Sequence, residues 1–448
     1  MKDGALTKRL WSLSYPSMLC AAMESFYDMT DMMWIGRISE TAVSAVTLFA
    51  ALSKVFLVFN AVIGGASIAM LSQAFGKKED KRVNRIAEQT ISFKILIAII
   101  ASLIFFLILK PTLKFYTDDP EIIKSAVDYG FLRIVFMFVN FALYSVNTIF
   151  RCTNNSKIPM RIMFISTVVN IFLDPLLIFE KIPFVGIKGL GLGVFGAAAA
   201  TVISAAIGLF IGMGLLLREN GAVKITLKGL FSLEPNIDRD LIRIGIPAGL
   251  EMVSRNVSYA LLIKFVSVYG TSAISAAGIG GKLFGFFLMP LGGFAMGGAA
   301  IAGQLLGEED IEGTKNVARV TAGICALIMT FLAIFTVLFS EELMRLFIDE
   351  KTVIAIGANM LRLTAVSYVI EGLAFGKRVV FSGSGETAPL FISGFLSRWV
   401  GQLGICALAV KFKLGLNFIW LSYIAASVVN FAVTEYYYKK GKWEEKRV

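Results

Sequence analysis

The chain has 448 residues, of which 56% are hydrophobic and 17% charged, and its mean hydropathy is +0.74. That balance excludes a soluble globular protein, in which about 25% of residues are charged. The formal net charge of +11 does not mark a nucleic-acid binder, because the basic residues lie in short segments between apolar blocks and at the C-terminus, where they record membrane topology.

Apolar blocks of about 20 residues, the length needed to cross a hydrocarbon core of roughly 30 Å, recur along the whole chain. They predict spans at 10–35, 42–73, 88–109, 127–150, 160–179 and 191–217 in the first half. The second half gives 241–268, 272–304, 317–339, 357–382, 388–410 and 414–438. The expected fold is therefore all-α and membrane-embedded, with twelve transmembrane helices. The first apolar stretch is too long for a signal-peptide core and is expected to be retained. With both termini inside, the inner segments and the span ends beside them hold roughly 25 Lys/Arg and the outer loops with theirs roughly 11, an asymmetry that sets this orientation.

The first span carries Glu24, Asp28 and Asp31 at i, i+4 and i+7, so the three acids share one face. An intramembrane carboxylate at mid-depth costs roughly 2.5–3.5 kcal/mol on insertion scales. A helix-end acid in water is the plain alternative for Asp31, yet three aligned acids are hard to explain that way. Pro16 lies earlier in the same helix and leaves the Ser12 carbonyl without its helical donor. The methionines Met18, Met23, Met29, Met32 and Met33 suit an adaptable apolar lining, or simply fill space.

The fifth span carries Asn170 and Asp174 at i, i+4, followed by Pro175, which frees the carbonyl of Ile171. A carboxylate, an amide oxygen and a loose carbonyl on adjacent turns are hard ligands for a small cation; a structural kink is the alternative. At the entry to the sixth span, Gly191 to Gly196 fits GxGxxG, but no βαβ pattern or downstream acid accompanies it, so close helix packing explains it better. There is no GxxxxGK[ST] loop, which argues against ATP-driven transport by this chain. The basic segment Arg218–Arg243 reads as a linker between halves.

In the second half, Glu251 follows Pro247 by one turn and has Arg255 at i+4, the spacing of an intrahelical ion pair. Glu371 in the tenth span has no partner at i±4 and is the better functional candidate there. The four cysteines are scattered singly, and histidine is absent, which removes imidazole metal ligands and the common acid–base and nucleophile patterns of an intramembrane enzyme. Proton-coupled steps would fall to carboxylates.

A shift of 231 residues superposes the halves: Pro16 falls on Pro247, Ala42, Ser44 and Ala45 on Ala273, Ser275 and Ala276, Phe56 on Phe287, Gln73 on Gln304, Gly76 on Gly307 and Asp118 on Asp349. Six spans in each half bring both repeats into the membrane from the same side. Two six-helix lobes, residues 1–225 and 226–448, are therefore expected about a pseudo-two-fold axis along the membrane normal.

These residues resemble the multidrug and toxic compound extrusion (MATE) transporters over nearly the whole chain. The segment Met29-Thr30-Asp31-Met32-Met33-Trp34-Ile35-Gly36 is similar to the family's first-helix aspartate motif, with Pro16 at the spacing of its bending proline. Asn170-Ile171-Phe172-Leu173-Asp174-Pro175 and Gly196-Ala197-Ala198-Ala199-Ala200-Thr201 resemble its fifth- and sixth-helix motifs. The resemblance implies a Na+ or H+ site at Asp31, Asn170, Asp174 and Thr201, with a backbone contribution near Ala197, and a hinge at Pro16. It places Glu371 where other members keep a tenth-helix acid. Glu251 lies one turn ahead of the matching seventh-helix position, which Arg255 occupies, so a C-lobe cation or substrate site would rest on Glu371 and Glu251.

The implied function is a cation-coupled antiporter that exports small amphipathic or cationic compounds by alternating access. The implied setting is the cell membrane, with both termini cytoplasmic. No cofactor beyond the coupling ion is expected; the partners are small-molecule substrates and membrane lipids rather than nucleic acid, and the protein is expected to be a monomer. The alternative is a flippase for lipid-linked oligosaccharides, which would need a basic cavity for a pyrophosphate; Lys54, Lys94, Arg133, Arg255, Lys282, Arg362 and Arg398 lie in or near spans.

Overall fold

The computed structural model describes residues 3–183, 186–218 and 223–448. Residues 219–222 of the expected linker lie outside the described residues. In chain order the helices are α1 (Asp3–Ile35), α2 (Glu40–Gly76), α3 (Asp80–Tyr116), α4 (Pro120–Val135), α5 (Met137–Cys152), α6 (Lys157–Ile178), α7 (Gly193–Leu216) and α8 (Leu227–Leu230). They continue with α9 (Pro235–Ser267), α10 (Thr271–Phe287), α11 (Met289–Gly307), α12 (Ile311–Leu338), α13 (Ser340–Arg345), α14 (Lys351–Ser384) and α15 (Ala388–Leu396). A π-helical stretch, Ser397–Gly404, leads into α16 (Ile405–Lys411), and α17 (Leu416–Lys440) and α18 (Lys442–Glu445) close the chain.

Among the described residues, nine spans are long and apolar enough to cross a membrane, and the bent pair α4 and α5 makes a tenth. The helices α1 and α9, 33 residues each, complete the twelve; the candidate acids and the charges beside them are what lower their apolar character. The expected span 127–150 is bent by 48° at Phe136. The Ser102 hydroxyl, 2.7 Å from the Ile134 carbonyl, donates to a group that the bend leaves short of a helical partner. Helix starts follow their caps: Ser39 accepts from the Ala42 amide, Asp119 from Glu121 and Ile122 ahead of α4, and Asp310 from Gly313 ahead of α12.

The 231-residue repeat is also a repeat of backbone. Helix α2 runs from Glu40 to Gly76, and α10 with α11 runs from Thr271 to Gly307, the same positions after the shift. The turn that follows has a left-handed residue at Lys78 (φ 59°) and again at Glu309 (φ 61°), and Asn154 (φ 65°) matches Gly385 (φ 77°).

Two compact units result, Pro16–Gly245 and Met1–Tyr15 with Ile246–Val448, called here the N-lobe and C-lobe. Both boundaries fall inside a long helix and beside a proline: α1 divides at Pro16, and α9 divides just before Pro247. Each lobe thus contains the first turns of a helix whose remainder belongs to the other. In the C-lobe those turns are held by Trp11 edge-on to Phe294 at 5.2 Å, by Arg9 donating to Gln304, and by Ser14 packed where Gly297 has no side chain. In the N-lobe, Gly245 is glycine because a Cβ there would run into the Val62 carbonyl.

The N-lobe core stacks Phe56, Phe105 and Phe49, with Tyr129 edge-on to Phe49. Helix α7 packs closely along α6 because Gly196 and Gly208 leave room for the Leu177 carbonyl and the Ser166 hydroxyl. This is the packing role expected for Gly196; Gly191 and Gly193 adopt left-handed turns (φ 64° and 58°). In the C-lobe, α14 is central and packs against α10, α11, α12 and α17.

Candidate cation site in the N-lobe

Asn170 and Asp174 project from neighbouring turns of α6 and are fully buried. The Asn170 amide donates to Asp174 Oδ1 at 3.0 Å. Close packing of α7 brings Thr201 to the same region, where its hydroxyl donates to the Ala197 carbonyl at 3.0 Å. A donating hydroxyl keeps its lone pairs, so Thr201 is left as an oxygen ligand with its direction fixed. From α1, Asp31 is buried at 5% exposure and lies within electrostatic reach of Asp174. The structure therefore gathers Asp31, Asn170, Asp174, Thr201 and Ala197 in one part of the N-lobe.

The hydrogen-bond accounting there is incomplete in a specific way. Asp31 Oδ1, Asn170 Oδ1 and Asp174 Oδ2 are all buried and accept no hydrogen bond among the described residues. A buried polar group left without a partner costs about 1–3 kcal/mol, and more when charged. Three such oxygens together form a lining of acceptors only.

Two residues beyond the sequence reading complete the setting. Tyr129 of α4 donates to Asp31 Oδ2 at 3.4 Å and accepts from Arg133 at 3.1 Å. Tyr27 of α1 lies beside Thr201, within reach of the charges of Arg133, Asp31 and Asp174. Tyr129 and Arg133 are i, i+4 neighbours on α4, so the pairing was visible as a spacing, but only the fold aims it at Asp31. Arg133 places a fixed positive charge close to Asp31.

The other candidates lie elsewhere. Glu24 accepts from the Tyr144 hydroxyl at 2.7 Å, and both Glu24 and Asp28 are exposed within the lobe, so Asp31 alone of the three aligned acids is buried. Glu251 has a closer partner than Arg255: Arg398 donates to it at 2.9 Å, whereas Arg255 is 3.8 Å away. Glu371 is held by Ser427 at 3.1 Å and Asn430 at 3.1 and 3.2 Å, all from α17. Glu251 and Glu371 thus belong to separate hydrogen-bonded groups. Pro16 stands at the lobe boundary in α1. No cluster of three or more His, Cys, Asp or Glu suited to a metal is found among the described residues, and all four cysteines are free and buried.

The MatE family model matches residues 16–176 and 247–400, two segments that begin at the repeat-related prolines Pro16 and Pro247. The chain belongs to the MATE family. It is similar to the probable multidrug resistance protein YoeA of Bacillus subtilis (strain 168), 26% identical over 440 residues that cover 97% of this chain and 93% of that one. It is 25% identical to the probable multidrug resistance protein NorM of Thermotoga maritima over 454 residues, 99% of this chain and 94% of the relative. The solved outward-facing structure of a multidrug resistance MATE transporter of the MOP superfamily shares the fold with a TM-score of 0.88 and 21% identity, covering 97% and 95% of the two chains. The protein is thus a MATE family membrane transporter, all-α, with the family's twelve-helix, two-lobe fold. Nothing in these likenesses favours the oligosaccharide flippase.

Proposed function

We propose that this MATE transporter exports small amphipathic or cationic compounds in exchange for Na+ or H+ taken up at Asp31, Asn170, Asp174 and Thr201. The observation that carries the reading is the trio of buried, unpartnered oxygens on Asp31, Asn170 and Asp174. Two acids in one dry region cannot both stay ionised without a counter-charge. Arg133 supplies one such charge, and the coupling ion supplies the other. Export follows if the occupied and empty sites favour different lobe arrangements, because a ligand shifts a conformational equilibrium only through its differential affinity for the two states. The relatives named for multidrug resistance support the substrate class. Lobes formed by helices 1–6 and 7–12, a cell-membrane location, cytoplasmic termini and action as a monomer complete the proposal.

The test is transport of a cationic dye in proteoliposomes, with sodium and proton gradients imposed separately. Wild type should export under at least one gradient. Asp31→Asn and Asp174→Asn should each abolish gradient-driven export, by 100-fold or more, without loss of folded protein. Wild-type export by both variants would overturn the assignment.

A further inference from the structure

The C-lobe carries a second charged cluster, and its sign is the reverse of the first. Under the repeat, Arg255 falls on Glu24, Tyr259 on Asp28 and Leu262 on Asp31, so the acidic face of α1 becomes a basic and apolar one on α9. Glu251 faces the guanidinium groups of Arg398 and Arg255 and lies within electrostatic range of a third, that of Arg378. Arg398 bonds it at 2.9 Å, Arg255 stands at 3.8 Å, and Arg378 lies within electrostatic range of both Glu251 and Arg398. Among the described residues, none of the three arginines has an ion pair within 4.0 Å other than those with Glu251.

The donors of these arginines are mostly unspent. Arg398 gives one nitrogen to Glu251 and, at 3.5 Å, to the Gly394 carbonyl. Among the described residues, the Arg255 guanidinium makes no hydrogen bond beyond its ion-pair contact, and that of Arg378 overlies the Phe375 ring at 5.5 Å. Charged groups within spans are rare and turn toward protein or water, not lipid. The Arg255 side chain is 50% exposed, so its guanidinium is not enclosed by protein.

The backbone here is also specialised. The eleventh span changes from α to π geometry over Ser397–Gly404, while the equivalent stretch of α6 is a regular α-helix. A π segment re-aims side chains and is frequent at functional sites. It carries Arg398 toward Glu251 and Trp399 toward Ser254, whose hydroxyl accepts from the indole at 2.8 Å. Gly394 permits the approach: a Cβ there would lie 3.1 Å from both Arg398 and Glu251. Trp399 stacks on the exposed Phe395 at 5.6 Å, which places an aromatic surface beside the charges.

We propose that Arg255, Arg398 and Arg378 form an anion subsite of the C-lobe, which takes the carboxylate, sulfonate or phosphate of an amphipathic solute while Phe395 and Trp399 take its apolar part. Guanidinium forks suit such planar oxyanions, and the unspent donors are what a ligand would use. Glu251 acts as the built-in competitor: it pre-orders the arginines and is displaced in part by the ligand anion. The inference extends the export reading to solutes that carry a negative group, and it rests on that reading only for the claim that the bound solute is transported.

The test uses the full-length protein in nanodiscs of phosphatidylcholine alone, with carboxyfluorescein as anionic probe and rhodamine 6G as cationic probe. Arg255→Gln and Arg378→Gln should weaken carboxyfluorescein binding about tenfold each and change rhodamine 6G binding less than twofold. Glu251→Gln should strengthen carboxyfluorescein binding by several-fold, a gain that no folding defect can imitate. Unchanged carboxyfluorescein affinity in the arginine variants, or weaker binding in Glu251→Gln, would overturn the subsite. Loss of carboxyfluorescein binding on adding phosphatidylglycerol would assign the arginines to a lipid headgroup and equally overturn it. Gradient-driven rhodamine 6G export by wild type is scored apart, so its failure strikes the export reading and not the subsite.

Discussion

Asp31 and Asp174 stand out from the other membrane acids by where their oxygens go, since each keeps one oxygen that no protein donor reaches. Asn170 and Asp174 could be singled out because i, i+4 spacing and a following proline describe a local ligand set before any fold is known, whereas Thr201 entered only through the resemblance of its segment to a family motif. Tyr27 and Tyr129 were not, since a tyrosine in a span is ordinary and only tertiary packing turns these two toward Thr201 and Asp31. Glu251 shows the opposite failing: its sequence neighbour Arg255 suggested a complete pair, while its nearer partner lies 147 residues away. Outside the membrane, Asp238 opens α9 in a buried position with one oxygen unpartnered. Burial pushes its carboxyl up to about 6, Glu234 adds in the same direction and Arg85 opposes. Folding therefore takes up a proton between about pH 4 and 6, so this group's contribution falls as pH rises through that window and stays low above it. Asp238→Asn should stabilise the protein at pH 7.5 by at most about 3 kcal/mol. Thermal midpoints in detergent should show a gain at pH 7.5 that shrinks at pH 5; an equal gain at both values would contradict the account.

At the scale of elements, the repeat was readable to the residue, and the ends of α2, α10 and α11 follow it. The bend at Phe136 and the π stretch in the eleventh span were not, because apolar content reports that a segment crosses and says little of how it bends. The boundary inside α1 adds weight to the hinge proposed at Pro16. The turns before it pack in the C-lobe and those after it carry Asp31 in the N-lobe, so any relative movement of the lobes must be absorbed near that proline. The missing hydrogen bond at Ser12 makes the change cheap there. Pro16→Ala should restore the bond and lower turnover several-fold while substrate affinity changes less. Wild-type turnover in that variant would reduce Pro16 to a tolerated kink. Pro247→Ala is the internal control: its helix carries Leu262 where α1 carries Asp31, so its export should keep the wild-type dependence on the coupling cation.

For the whole molecule, the membrane fold and family followed from composition, span count and a few motifs spread through both halves. Orientation is a separate claim that rests on charge asymmetry. A single cysteine introduced at position 228, in a background lacking the four native ones, should resist membrane-impermeant thiol reagents in intact cells and react after permeabilisation. Labelling in intact cells would invert the topology. The central claim is that one N-lobe site holds the coupling ion and governs solute release, and its most direct test is ion-driven release from the purified protein. Rhodamine 6G bound in nanodiscs should be released from wild type by added sodium or by acidification. In Asp31→Asn and Asp174→Asn the dye should still bind, but the releasing ion should lose at least tenfold in potency. Release from both variants at the wild-type ion concentration would place the coupling site elsewhere and contradict the account.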